Sequence, residues 1–132
     1  MAFRTFETKF CVFALVIAED RVLMTHWSGS PSAVAPLWTL PGGLVDLGER
    51  VEDTAVRWVA EQAGLDVELD RFLGFHTSVI PGNERRDRPG ISLQSIRAVC
   101  TVRAREGRLK PCLPRPSDET QWMRIDRIGA LP

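Results

Sequence analysis

The sequence predicts a single α/β domain, and three observations carry that prediction. Apolar, strand-like tracts lie both before and after one uninterrupted helical segment, Val51 to Ala63. That segment contains no proline or glycine and is followed at once by Gly64, where a helix C-terminal glycine belongs. A length of 132 residues with 44% apolar composition fits one domain with a sizeable core.

In chain order, Phe10 to Ala18 reads as a mostly buried strand. Glu19-Asp20 reads as a turn and Arg21 to Trp27 as the returning arm of a hairpin. Ser28 to Pro36 is small, polar and proline-punctuated, hence a loop. Leu37 to Leu40 is a short strand stopped by Pro41, and Gly42-Gly43 permit a tight backbone path after it. Asp46 to Arg50 leads into the helix. At about 100° per residue, Ala55, Val56, Val59 and Ala63 fall on one side of it, and Thr54, Arg57, Trp58, Glu61 and Gln62 on the other. The first set is expected in the core and the second at a site. Leu69 to Ile80 and Ile91 to Arg103 carry strand patterns around a polar loop, Pro81 to Gly90, of a length that often serves function. Glu106-Gly107 is expected to be a hairpin turn, and Lys110 to Pro116, with three prolines, irregular. Gln121 to Ile125 is the last strand and Asp126 to Ala130 a terminal helical turn.

The most informative stretch is Gly43 to Leu65, GLVDLGERVEDTAVRWVAEQAGL. Gly43, Glu49, Arg57, Val59, Glu61, Gly64 and Leu65 stand at the offsets of a known signature, behind a Trp38-Thr39-Leu40-Pro41-Gly42-Gly43 lead-in. On these residues the chain resembles the Nudix hydrolase family. The family carries three glutamates on its helix; here Trp58 stands for the first and Gln62 for the third, so Glu61 alone remains. The resemblance implies a Nudix-type α/β/α sandwich with a mixed β-sheet over residues 1–132. It also implies hydrolysis of a nucleoside diphosphate linked to another moiety, with Mg²⁺ or Mn²⁺ as cofactor.

The physical demand of that chemistry is charge. A hard divalent cation takes oxygen ligands, and carboxylates three or four residues apart supply them from one helix face. By resemblance Glu61 is the catalytic and metal-binding residue, with the Gly42 carbonyl as a further ligand and Gln62 as a weak oxygen donor. Gly43, Glu49 and Arg57 are the scaffold of the site. An indole cannot coordinate the ion and an amide brings no charge, so metal binding is expected to be feeble, or to occur only with substrate. Two readings stay open: a hydrolase with weak or altered activity, or a catalytically silent module that binds a nucleotide-like ligand or a protein partner.

Other side chains carry weaker signals. Trp58 either stacks on a base or fills space that a metal leaves, and Trp27 and Trp38 are stacking candidates for which core packing is the commoner role. His26 and His76 have no acid partner near in sequence. Arg85, Arg86 and Arg88 could clamp phosphates with forked hydrogen bonds, although Glu84 and Asp87 interleave with them and favour a self-neutralising loop. Asp118, Glu119 or Glu84 could complete a metal site by analogy with family members that use an acid outside the signature.

Charges balance at 17 basic and 17 acidic residues, so no global field recruits nucleic acid or an anionic membrane. The expected partner is a nucleotide-derived small molecule, with a homodimer as a further option. Cys11, Cys100 and Cys112 have no metal-ligand spacing and form no disulfide framework, which points to a reducing cytoplasm. The nine-residue run Phe10 to Ala18 is too short for a membrane-spanning helix, which needs about 20 residues. It is read as a strand rather than a signal peptide because Glu7 interrupts the preceding basic residues.

Overall fold

A computed structural model describes residues 6–27, 37–114 and 119–130. The expected loop from Ser28 to Pro36 and the candidate ligand Asp118 lie outside them. Two β-sheets form. The first is built on β1 (Phe6–Leu15), which pairs in parallel with β7 (Ser92–Ala104), Val12 opposite Ala98. β5 (Gly42–Leu44) lies antiparallel on the other side of β1, and β6 (Val67–Ile80) lies antiparallel outside β7, giving the mixed order β5-β1-β7-β6. The second sheet is antiparallel and centred on β3 (Arg21–Trp27), which pairs with β2 (Ile17–Ala18), β4 (Leu37–Thr39) and β8 (Thr120–Arg124).

β1 is buried along both faces in its central part, which explains why it reads as an unbroken apolar run. Val12 and Ala14 point to one face and join Ala98, Cys100 and Val102 of β7 beneath the helix α1 (Val51–Ala63). Ala55, Val59 and Ala63 of α1 complete this core. Cys11 and Phe13 point to the opposite face, toward the second sheet, where the cavity described below opens. The two buried cysteines, Cys11 and Cys100, are free thiols, and burial pushes both thiol pKa values up, that of Cys100 to about 11.

Several expectations change in detail. The strand expected over Phe10 to Ala18 begins earlier and divides at Val16, whose carbonyl accepts Leu23 N–H at 3.0 Å, so the chain leaves the first sheet there and enters the second. Gly42–Leu44 is a strand, because its backbone pairs with β1. Glu106-Gly107 is not a hairpin turn: β7 ends at Ala104 and no strand follows among the described residues until Thr120. Pro111 lacks the amide hydrogen a returning ladder needs. Thr54 is fully buried rather than on the site face, because its hydroxyl is drawn to Glu49 Oε1 at 2.8 Å and to the Arg50 carbonyl at 3.0 Å. The terminal helical layer is a single 3-10 segment, Ile125–Ala130, tied by Ile125 N–H to the Asp20 carbonyl at 3.0 Å. Among the described residues, no helix is long and apolar enough to cross a membrane.

α1 ends as the sequence predicts. Gly64 takes the left-handed conformation at φ 71° and returns its N–H to the Ala60 carbonyl at 2.9 Å. A Cβ there would meet only Pro114 at ordinary contact distance, so Gly64→Ala incurs conformational strain alone. The expected loss is about 1–2 kcal/mol in urea unfolding.

Candidate functional site

Glu49 and Arg57 organise the loop that leads into α1. The Arg57 guanidinium donates from Nε to Glu49 Oε2 at 2.7 Å and from Nη2 to Glu49 Oε1 at 3.0 Å, a forked pair. Nη2 also reaches the Leu44 carbonyl at 3.2 Å and Asp46 at 3.4 Å. Glu49 Oε1 further accepts from the Thr54 hydroxyl and from the Asp46 N–H at 3.2 Å. The Arg57 hydrogen bond, then that of Thr54, lowers the Glu49 pKa to about 2. Arg57 is correspondingly held more firmly protonated, chiefly by Glu49. Neither group is free for proton transfer near neutral pH.

Trp58 lies flat against the backbone of Gly43. A Cβ on Gly43 would sit inside the indole, so this position has to be glycine while Trp58 occupies its place. The indole Nε1 donates to the Leu44 carbonyl at 3.0 Å, and the Arg57 guanidinium covers its ring 4.7 Å from the centroid. Gln62 closes the other end. Its Oε1 accepts from Gly42 N–H at 3.0 Å while its Nε2 donates to the Gly42 carbonyl at 3.2 Å. The amide thus joins helix to strand through both backbone groups of one residue.

These contacts decide how the signature residues relate to a metal. The Gly42 carbonyl and the Gln62 amide oxygen, two of the three expected ligands, are bonded to each other's peptide or amide group. Glu61 is half-exposed and pairs with Arg57 Nη1 at 3.5 Å. Among the described residues, no three His, Cys, Asp or Glu side chains converge as a metal site. The arrangement therefore does not fit a hard divalent cation, which needs several unengaged oxygens and excess negative charge. Glu84 lies in the short 3-10 segment Gly82–Glu84, and Glu119 is engaged through its backbone with β3.

The arginines of the long loop also differ from a phosphate clamp. Arg85 is fully buried in its side chain, forked onto Asp87 at 3.0 and 2.8 Å, bonded to the Ile91 carbonyl at 3.0 Å and paired with Glu7 at 2.6 Å. It holds the loop to β1. Arg88 pairs with the same Glu7 at 2.6 Å, and Arg86 is exposed on the loop surface. Asp87 is held at about pKa 2, mainly by Arg85.

A cavity of about 390 Å³ lies between the two sheets. Gly42, Gly43, Trp58 and Gln62 form one end of it, and Lys9, Cys11 and Phe13 of β1 with Ser95 and Arg97 of β7 form a wall. His26 lines it from β3 with its ring 5.2 Å from that of Trp38, whereas His76 is exposed on β6. Sequence reasoning did not single out Lys9 or Arg97. Their signal is strand alternation: positions 9, 11 and 13 share a face, as do 95 and 97, but alternation alone does not say which face meets a cavity.

Comparison with known proteins places this geometry. A family model for the NUDIX domain matches residues 7–132. A putative 8-oxo-dGTP diphosphatase 3 of Mycobacterium tuberculosis is 31% identical over 119 residues, covering 89% of this chain and 48% of that protein. A putative 8-oxo-dGTP diphosphatase of Bacillus subtilis is 46% identical over 41 residues, 31% of this chain and 28% of that protein. The chain thus spans less than half the length of either relative. Among solved structures, a MutT protein of Methanosarcina mazei superposes with a TM-score of 0.68 at 20% identity, covering 96% of this chain and 84% of that one. A NUDIX hydrolase of Nitrosomonas europaea superposes at 0.62 and 20% identity, covering 93% and 76%. At these identities the superpositions speak for the fold.

Proposed function

Since the chain belongs to the NUDIX family, we propose that it binds a nucleoside diphosphate linked to another moiety in the inter-sheet cavity and hydrolyses it at a strongly attenuated rate. One observation carries the attenuation: the Gln62 amide and the backbone N–H and carbonyl of Gly42 satisfy each other through two hydrogen bonds. In a family that works through divalent metals, that pairing occupies oxygens the ion would take. Trp58 adds an indole where an anionic side chain would attract it.

The chain's own residues support a binding role directly. The cavity is large enough for part of a nucleotide, at the lower end of the usual 300–1,000 Å³ for small-molecule pockets. His26 and Trp38 offer aromatic surface near the cavity, and Phe13 lies on the wall beside Arg97. The Arg57–Glu49 pair keeps the loop before α1 in place at the cavity end.

The test is a cleavage panel with nucleotide sugars, dinucleotides, ADP-ribose, nucleoside triphosphates and 8-oxo-dGTP, with Mg²⁺, with Mn²⁺ and with chelator. The last substrate is included because two relatives carry it in their names. The expected result is saturable binding of at least one compound, with turnover at least 100-fold below the median enzyme rate of about 10 per second. Turnover at or above that median by the native protein would refute the attenuation.

A further inference from the structure

Arg97 occupies a position that no counter-charge explains. It sits on β7 opposite Cys11 of β1 and His76 of β6, on the face that lines the cavity. Its contacts are Ser95 Oγ, 3.4 Å from Nε, and the Phe13 ring, whose centroid is 5.9 Å from Cζ. No carboxylate among the described residues pairs with it. Arg57, Arg85, Arg103 and Arg105 each hold an acid within 3.0 Å, so an unmatched guanidinium on a cavity wall stands apart from them.

The surrounding charge has the same sign. Lys9 lines the same wall, and its partner Asp87, at 3.5 Å, is the only carboxylate of the cavity lining among the described residues. Asp87 is already neutralised by the buried Arg85 at 2.8 Å. The fields of Arg97 and Lys9 both reach the Cys11 thiol, where they oppose the stronger effect of burial. At the far end, Trp58 and Gln62 contribute no charge. The cavity is therefore cationic on one wall and neutral at its end, the reverse of a carboxylate site that has to recruit a metal before it accepts phosphate.

We propose that Arg97, assisted by Lys9, binds the diphosphate of the ligand directly, so that this cavity takes an anionic ligand without a divalent cation. The inference rests on the ligand class proposed above and goes beyond it by moving the charge compensation from the helix to β7 and β1. The Phe13 ring lies 5.9 Å from the guanidinium carbon, and the donors not turned to Ser95 are available for forked hydrogen bonds to phosphate oxygens.

The experiment is isothermal titration of the protein with ADP-ribose and, separately, with inorganic pyrophosphate, in chelator and in Mg²⁺. Binding is expected in chelator, weakening as salt is raised, and Arg97→Gln is expected to weaken it roughly 10- to 100-fold with Arg97→Lys in between. Circular dichroism of both variants checks that the fold persists; removing a cation that has no ion-pair partner gives no reason for it to fail. Binding that requires Mg²⁺ and is unmoved by Arg97→Gln would overturn the inference and leave the nucleotide reading standing. Pyrophosphate bound through Arg97, with ADP-ribose and every nucleotide of the cleavage panel rejected, would uphold the anion site and overturn the nucleotide reading. Absence of binding by both probes overturns the anion site; the nucleotide reading falls with it only when every compound of the cleavage panel is rejected as well.

Discussion

Trp58→Glu combined with Gln62→Glu is expected to make the protein respond to Mn²⁺ and Mg²⁺ in both stability and turnover, beyond any response of the native chain. The first substitution removes the indole from Gly43 and places a carboxylate three residues before Glu61 on the same helical face. The second replaces the Gln62 amide, whose Nε2 donates to the Gly42 carbonyl at 3.2 Å, with an oxygen that repels it. Without metal, the double variant loses that hydrogen bond and the one from Trp58 Nε1 to Leu44, each worth about 0.5–1.5 kcal/mol. It should unfold at lower urea than the native chain. With metal, three carboxylates converge and the Gly42 carbonyl is released to join them.

Losing even an outer partner of a metal site costs about 10- to 100-fold in affinity, so regaining two direct ligands should gain at least about 100-fold. Thermal unfolding with and without Mn²⁺ reads this independently of activity, and diphosphate cleavage reads it chemically. Adding Glu61→Gln to the pair should abolish most of the gain, because Glu61 lies between the restored positions. A double variant whose unfolding temperature ignores Mn²⁺ would show that this helical face does not form the site.

Arg57→Gln is expected to release the loop between β5 and α1 and to return the Glu49 carboxyl from about 2 most of the way to its ordinary value of 4.5. Arg57 supplies two hydrogen bonds to Glu49, one to the Leu44 carbonyl and ion pairs to Asp46 and Glu61, so one substitution unties the loop at several points. The Thr54 hydroxyl and Asp46 amide remain on Glu49, which keeps the return incomplete. The folded pKa lies below the unfolded value of 4.5. The pair therefore stabilises the native state fully above pH 4.5, and that stabilisation is lost as pH falls toward 2. Native protein should lose stability across this window more steeply than Arg57→Gln. Asp87, depressed by Arg85 from 3.8 to about 2, leaves a residual slope in both. Urea midpoints from pH 6 down to pH 2 test the slope, and a carbon-detected titration of the Glu49 carboxyl tests its cause. Faster amide exchange at Asp46 and Glu49 would report the loosened loop.

The helix was legible in sequence because its signals are local. Val51 to Ala63 carries no breaker, and Gly64 supplies the left-handed residue that ends it, so the predicted and observed bounds coincide. The strand tracts were legible for the same reason, but their partners were not. Nothing in Phe10 to Ala18 states that the chain changes sheets at Val16, since that depends on Leu23 arriving to bond its carbonyl. Thr54 was misplaced because helical periodicity puts it beside the site residues, whereas its hydroxyl turns inward to Glu49. Arg85 looked like a surface cation among alternating charges, and Glu7, 78 positions earlier, is part of what buries it.

The amino-acid order by itself determined the family resemblance, the α/β class, the position of the helix and the loss of two carboxylates from its exposed stripe. All of these depend on residue types at short, fixed spacing. Only the tertiary structure decided what replaces the missing charge: Gln62 bridging to the Gly42 backbone, the Trp58 indole lying on Gly43, and Arg97 unmatched on the cavity wall formed by β1 and β7. Those relations join residues 15 positions apart (Gly43 and Trp58), 20 apart (Gly42 and Gln62) and 86 apart (Cys11 and Arg97), and they are set by sheet register and side-chain packing, which local spacing does not encode.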